Sequence, residues 1–167
     1  AENRICELCV PILYGSPKVA AYYRKVLNIE NFSLNTIREP GEANGKRSNI
    51  INCVDDNVKV DLGKETPESD QATMIALKYA LDQLDRDEID VLTLAPQGPN
   101  AFFTEEAGSL VEYLGKRYNT TDIMSILVSE KMKMGFVTEQ VKLRDVPHQV
   151  TQKNIFKKLT LLDDTLR

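Results

Sequence analysis

The sequence predicts an α/β protein in which a mixed, mostly parallel sheet is flanked by helices. Short apolar runs alternate with longer stretches of helical periodicity, which is the usual pattern of parallel α/β folds. Hydrophobic residues make up 42% and charged residues 28% of the 167 residues, so the chain has enough apolar side chains to fold around a core.

The first predicted elements are a strand, a tight turn and a helix. Residues 10–14 form an apolar run that ends at Gly15, and we expect a buried strand there. Ser16 followed by Pro17 is a typical helix start, because a serine hydroxyl caps the first amides and proline fits the first turn. Apolar side chains at helical spacing then predict a helix over 17–27.

Three further strands are predicted before the longest helix. They cover residues 32–37, 49–54 and 57–62. A polar loop with two glycines and a proline, residues 39–45, separates the first two of these strands. Asp55 and Asp56 between the last two suit a hairpin turn.

The longest predicted helix covers residues 67–85. It begins at Thr66-Pro67, where a hydroxyl cap, a first-turn proline and acidic side chains all favour a helix N-terminus. Residues 89–95 are almost continuously apolar, which predicts a central parallel strand. The second half adds a helix over 104–118, strands over 123–129 and 134–138, and a terminal amphipathic helix over 151–166.

Composition excludes several classes of function. The chain has 21 Lys and Arg against 25 Asp and Glu, a net charge of −4, so we expect no nucleic-acid partner. No apolar run approaches the ~18 residues of a membrane span, and the first residues do not form a secretory signal, so we expect a cytoplasmic protein without a membrane partner. A single histidine leaves little for chemistry built on imidazole.

Cys6 and Cys9 form a C-x-x-C motif near the start of the chain. Zinc would need further ligands, and the remaining soft ligands are only Cys53 and His148. A thioredoxin-type pair sits after a strand at a helix start, whereas this pair precedes the first predicted strand. We therefore interpret these residues as buried or half-exposed thiols, with a metal or redox role as the alternative.

Two acidic groups, Asp55-Asp56 and the cluster over 85–90, could be considered as metal ligands. No hard-cation loop pattern surrounds either group, so we interpret both as solvated turns. His148 in Val-Pro-His-Gln-Val lacks an evident partner and is interpreted as a surface residue.

Two loops lie where ligands could bind. The turn from Gly15 to Lys18 could hold an anion on helix-start amides, but it lacks the glycine spacing of a phosphate loop and is interpreted as an ordinary turn. The loop over 95–100 follows the predicted central strand, a favoured ligand position, yet it carries no acid, base or nucleophile.

Several segments occur in an order that is specific as a set. They are VPILYGS at 10–16, TPES at 66–69, IDVLTLAP at 89–96, VT at 137–138 and LRDV at 143–146. Together they resemble the 4-hydroxythreonine-4-phosphate dehydrogenase family of pyridoxal phosphate biosynthesis. The resemblance covers the whole chain but only an interior part of the family's length. It implies an incomplete isocitrate-dehydrogenase-like fold, in which residues 1–167 form one α/β unit of a longer two-domain subunit.

The resemblance also implies a chemistry. Members of the family work as homodimers and use NAD and a divalent metal to oxidise a phosphorylated hydroxy amino acid, which then loses CO₂. In such a reaction the metal polarises the hydroxyl and the developing ketone oxygen, while NAD accepts the hydride.

The sequence departs from the family where these groups bind. In one register with the family's Gly-His-Thr-Glu motif, Leu110 and Val111 stand at the substrate-binding histidine and threonine; in another, Phe103 stands at the histidine. Gln140 stands where the family has a metal-binding histidine, and an amide is a far poorer ligand than imidazole. We therefore predict that this chain alone is inactive and binds neither NAD nor metal. The alternatives are a non-catalytic paralogue that acts as a binding or dimerisation scaffold and an unrelated α/β domain with a phosphate-type ligand at the Gly15 turn.

Overall fold

A three-stranded parallel sheet organises the first half of the protein. The computed structural model describes residues 3–56, 58–59, 61–97, 108–139 and 141–166. Strands β1 (Ile12–Gly15), β2 (Asn35–Ile37) and β3 (Asn49–Asn52) form the sheet in the order β1-β3-β2, and both pairings are parallel. The predicted α/β fold class is thus confirmed.

Two helices pack on this sheet, and both begin where the sequence predicts. Helix α1 (Pro17–Val26) is capped by Ser16, whose hydroxyl accepts a 3.3 Å hydrogen bond from the amide of Val19. Helix α2 (Pro67–Leu84) begins with a capping box in which Thr66 and Ser69 each accept a hydrogen bond from the other's amide. Contacts join α2 to β1 and α1 to β3.

The core lies on both sides of β3. Ile50 and Ile51 are 0% and 2% exposed, and successive strand residues point to opposite faces of a sheet. Both faces are therefore covered, as is usual for parallel sheets. The other buried apolar side chains are Ile37 from β2 and Leu77, Ala80 and Leu81 from α2. Burying a large aliphatic side chain stabilises the fold by about 1.5–3 kcal/mol.

A buried amide connects β3 to its surroundings. Asn49 is fully buried, and its Oδ1 accepts hydrogen bonds from Asn35 Nδ2 (3.0 Å) and the Asn44 amide (2.9 Å). Its Nδ2 donates to the carbonyls of Arg47 (2.9 Å), Asn44 (3.1 Å) and Pro11 (3.3 Å). This one side chain therefore joins β2, the β2–β3 loop and the residue before β1.

The predicted strand over 57–62 is wrong, and so is the hairpin that it would form. Residues 58, 59, 61 and 62 lie outside any strand, while 57 and 60 fall outside the described residues. The physical reason is that β3 is the central strand of the sheet. Because β1 and β2 occupy both of its edges, no edge remains for a hairpin partner.

The predicted central strand over 89–95 is also wrong. These residues belong to no strand, and Val91 is 76% exposed. The segment and β1 instead line a common cavity of about 1190 Å³, together with part of α2. Ile89 and Leu92 are half-buried along this cavity and do not pair with a neighbouring strand. The apolar residues of this segment therefore indicate partial burial and not membership of a sheet.

The chain divides into two compact units, Ala1–Phe103 and Thr104–Arg167. The second contains α3 (Leu110–Arg117), the antiparallel pair β4 (Ile126–Val128) and β5 (Lys133–Gly135), α4 (Val146–Gln149) and α5 (Gln152–Leu166). Predicted residues 104–107 of the third helix fall outside the described residues. That residues 1–167 form one unit of a longer subunit stays a prediction. Within the described ranges, no helix is long and apolar enough to cross a membrane.

We predict that Asn49→Ala lowers the free energy of unfolding by about 2–4 kcal/mol, because it removes the acceptor of the Asn44 amide and a donor to each of three carbonyls. Urea unfolding followed by circular dichroism measures this change. Asn52→Ala is the matched control: Asn52 is exposed and its side chain donates a 3.5 Å hydrogen bond to Asp56, so the loss of this side chain should cost less than about 1 kcal/mol. Equal losses in both variants would contradict the role assigned to Asn49.

Candidate functional site

The second unit contains a cavity of about 670 Å³ that includes one of the predicted site residues. Val111, in the first turn of α3, lies in its wall. Leu110, the first residue of α3, is half-buried and is not part of the lining. Gln140 and Phe103 fall outside the described residues, so their predicted positions are not described. The charged residues of the lining are Glu112, Lys116, Glu139 and Lys158.

Local sequence explains the position of Leu110 and Val111. Ser109 caps α3 by accepting a 3.2 Å hydrogen bond from the Glu112 amide. Glu112 in turn accepts a 2.9 Å hydrogen bond from the Gly108 amide and forms a 2.9 Å ion pair with Lys116. The Gly108 hydrogen bond, followed by the contact with Lys116, lowers the pKa of the Glu112 carboxyl. The polar groups here thus serve the helix start, whereas Leu110 and Val111 contribute only carbon atoms.

Glu139 forms the main polar cluster of this cavity. Its two carboxylate oxygens accept hydrogen bonds from Ser125, one from the amide (2.9 Å) and one from the hydroxyl (2.6 Å). Lys158 on α5 lies 3.6 Å from the same carboxylate and also donates to the carbonyl of Ile123. The cluster thus joins the segment before β4, the segment after β5 and α5.

Burial acts to raise the pKa of the Glu139 carboxyl, but the hydrogen bonds from Ser125 and the nearby Lys158 ammonium outweigh it, and the pKa lies below its ordinary value. Glu139 is therefore a carboxylate at neutral pH. Sequence reasoning missed this cluster, because its three side chains come from separate segments and none belongs to a recognisable motif.

In the first unit, an aspartate contacts the strand–helix turn from Gly15 to Lys18, where an anion was the alternative to an ordinary turn. Ser16 donates a 3.0 Å hydrogen bond to Asp56, and Lys18 lies 3.7 Å from the other carboxylate oxygen. Asp56 is thus held by the start of α1 instead of being a solvated turn residue. Its negative charge at this position disfavours a phosphate or another anion. Sequence reasoning did not predict this contact between residues 40 positions apart.

Tyr14 on β1 has a strongly raised pKa. Its hydroxyl donates a 2.5 Å hydrogen bond to Gln83 on α2, and its ring lies 6.2 Å from that of Tyr79. Burial, followed by the influence of Cys53 and Glu88, raises the pKa of Tyr14 to about 12. The group therefore stays a neutral phenol near pH 7 and is unsuited to act as a base there.

The described residues do not fit the cofactors that the resemblance implies. No cluster of three or more His, Cys, Asp or Glu side chains that could hold a metal forms among them. The chain's only histidine, His148, is exposed on α4, and Glu139 is already bound by Ser125 and Lys158. For NAD, the turn at Ser16 faces Asp56, which would repel a pyrophosphate. The remaining predicted loop is described only over 95–97, where Gln97 donates to the carbonyl of Ala95.

The architecture is that of dehydrogenase domains of known structure. It superposes on the crystal structure of 4-hydroxythreonine-4-phosphate dehydrogenase from Klebsiella pneumoniae with a TM-score of 0.80 at 19% identity, covering 93% of this chain and 49% of that one. The enzyme of the same name from Burkholderia phymatum gives a TM-score of 0.74 at 16% identity, covering 91% of this chain and 47% of that one.

The chain belongs to the family of the pyridoxal phosphate biosynthetic protein PdxA, whose sequence profile matches residues 7–167. It is 35% identical to the 4-hydroxythreonine-4-phosphate dehydrogenase of Bacteroides thetaiotaomicron, covering 100% of this chain and 46% of that protein. The Aquifex aeolicus protein of the same name is 28% identical, covering 90% of this chain and 47% of its own length. The chain thus spans about half the length of these relatives, and the predicted family is confirmed.

We predict that Glu139→Gln reduces the loss of stability in acid. A carboxyl whose pKa is lowered on folding stabilises the fold fully above its unfolded pKa of ~4.3, and this contribution disappears as the pH falls through the folded pKa. Wild-type stability should therefore fall between about pH 5 and about pH 3 more than that of the variant, as measured by urea unfolding. Glu130→Gln, at an exposed residue, should follow the wild-type curve. Parallel curves for Glu139→Gln and wild type would contradict this prediction.

Proposed function

We propose that this chain is a domain of a 4-hydroxythreonine-4-phosphate dehydrogenase-like protein and is itself catalytically inactive. The intact family reaction is the NAD- and metal-dependent oxidation of a phosphorylated hydroxy amino acid in pyridoxal phosphate biosynthesis. The proposal is supported by Leu110 and Val111, two aliphatic side chains at the start of α3. In the register of the resemblance that we adopt, they stand in place of the family's histidine and threonine. The proposed location is the cytoplasm.

The physical argument is a loss of polar contacts. A histidine and a threonine can donate or accept hydrogen bonds with a phosphorylated hydroxy acid, whereas leucine and valine cannot. A hydrogen bond to a charged group contributes about 1.5–3 kcal/mol, so two such losses would weaken binding by orders of magnitude. Glu139 does not compensate, because its oxygens are engaged by Ser125 and its charge would oppose a phosphate.

The alternative function is that of a non-catalytic paralogue that acts as a dimerisation scaffold. One observation favours it: the β4–β5 pair exposes four large apolar side chains, Leu127, Val128, Met132 and Met134. A two-stranded sheet alone is marginally stable. Leu127 and Met134 are paired across β4 and β5, so one face of this sheet carries two exposed apolar side chains of the kind found at protein interfaces. We propose that a homodimer forms on this surface. Helix α3, which precedes β4 in the sequence, is a further candidate for the contact.

We predict that the purified chain produces no NADH from NAD and 4-phosphooxy-threonine with zinc or magnesium, because the polar substrate and metal groups are replaced. Absorbance at the NADH band measures this. The Bacteroides thetaiotaomicron relative, assayed in the same buffers, is the positive control. NADH formation in proportion to the amount of this chain would contradict the proposal. If the Glu139→Ala variant then formed NADH at the same rate, the cluster of Glu139, Ser125 and Lys158 would have no part in that activity.

We also predict that the chain self-associates through β4 and β5. Leu127→Lys places a charge on this surface, where Leu127 is 62% exposed, and should shift the chain towards monomer in sedimentation velocity at micromolar concentration. Leu143→Lys, at an exposed leucine in a 3₁₀ turn of the same unit, is the control and should sediment as wild type does. A wild-type chain that stays monomeric over a wide range of concentration would rule out the dimer.

A further inference from the structure

The two cysteines of the C-x-x-C motif lie on one helical turn. A 3₁₀ helix covers Asn3–Glu7, and the amides of Leu8 and Cys9 both donate 3.0 Å hydrogen bonds to the carbonyl of Ile5. The Cys9 amide closes a turn from Ile5 to Cys9, in which Cys6 is the second residue and Cys9 the fifth. In a turn closed by a hydrogen bond between residues four apart, as in an α-helix, residues three apart have Cα atoms about 5 Å from each other. This distance falls inside the ~4.4–6.8 Å range that a disulfide requires.

The orientation of Cys9 gives a second, independent observation. Its Sγ lies 3.7 Å from the Ile5 carbonyl oxygen, to which the thiol donates a weak hydrogen bond. The side chain is therefore turned back over the turn that contains Cys6, instead of pointing away from it. Sequence position alone did not indicate this, because the motif precedes a strand and the helical turn has no strong start signal.

Accessibility separates these thiols from the third one. Cys9 is exposed and Cys6 is partly exposed, so a small oxidant can reach the pair. Cys53, the residue after β3, is half-buried, and burial raises the pKa of its thiol. Since the thiolate is the attacking species in disulfide exchange, Cys53 is the less reactive group and provides an internal comparison.

We propose that Cys6 and Cys9 form a redox-active dithiol that closes to an intrachain disulfide on reaction with a low-molecular-weight disulfide. The Cys9 thiolate attacks one sulfur of the oxidant, whose S–S bond breaks and releases one thiolate, which takes up a proton. The Cys6 thiolate then attacks the Cys9 sulfur of the mixed disulfide and releases the second thiolate. In total, the two protein thiols lose two electrons and two protons, and the oxidant is reduced to two thiols.

The disulfide would fix a turn that borders the cavity of the first unit. Ile5, Leu8 and Cys9 all belong to the lining of that cavity, beside β1. Oxidation would therefore restrict the motion of one wall without changing the sheet. The dithiol is independent of the function proposed above, because it involves none of the residues on which that proposal rests, Leu110, Val111 and Gln140.

The test is a redox titration of the purified, reduced chain with glutathione disulfide and glutathione at defined ratios. Free thiols are alkylated, and tryptic peptides are then weighed by mass spectrometry. Cleavage after Arg4 and Lys18 places both cysteines on one peptide and Cys53 on another. The expected product is a Cys6–Cys9 peptide that has lost two hydrogens and carries neither glutathione nor alkyl groups, while Cys53 remains alkylated at the same ratio.

Three variants make the result specific. Cys6→Ser should accumulate glutathione on Cys9, because the resolving thiol is missing, and Cys9→Ser should form no disulfide. Cys53→Ser is the matched control and should oxidise at the same glutathione ratio as wild type. Any of three outcomes would overturn the proposal: a glutathione adduct that persists on Cys9 in the wild type, a disulfide to Cys53 or to a second chain, or oxidation of the pair only at the ratio that oxidises Cys53.

Discussion

The buried amide of Asn49 fixes the arrangement on which the first unit depends. From the start of β3 it holds Asn35 of β2, the loop residues Asn44 and Arg47, and the Pro11 carbonyl before β1. A shift of β3 by one residue would remove these partners and also exchange the faces of its buried isoleucines. One polar side chain thus sets the register of two strand pairs, and the helices pack on the surface that results.

Local chemistry made part of this fold predictable. Both long helices of the first unit begin at a hydroxyl followed by proline, Ser16-Pro17 and Thr66-Pro67, since capping depends only on neighbours in sequence. Strand pairing depends on which edges are free, and this is not a local property. Residues 57–62 and 89–95 have strand-like composition, yet β3 has no free edge and the second segment lines a cavity. The burial of Asn49 was equally unpredictable, because asparagine is usually exposed.

The candidate sites also divide into features that depend on local sequence and features that depend on tertiary contacts. That Leu110 and Val111 stand at the family's histidine and threonine is a prediction from the order of segments in the sequence, and it needs no knowledge of the fold. By contrast, the cluster around Glu139 forms only when Ser125 and Lys158 are brought to it by β4, β5 and α5. Because the Glu139 carboxylate joins three parts of the second unit, we interpret this charged group in the cavity wall as structural and not as a substrate ligand.

Tyr14 gives the first unit an optical signature of its own. The chain has six tyrosines and no tryptophan, so its near-ultraviolet absorption comes from phenol rings. With a pKa of about 12, Tyr14 keeps its proton at a pH where an ordinary phenol, with a pKa of ~10, has lost it. Stability held by this neutral phenol is complete below that ordinary value and is lost as the pH rises through the folded one. At a pH between these two pKa values, the appearance of phenolate from this ring therefore reports the separation of β1 from α2.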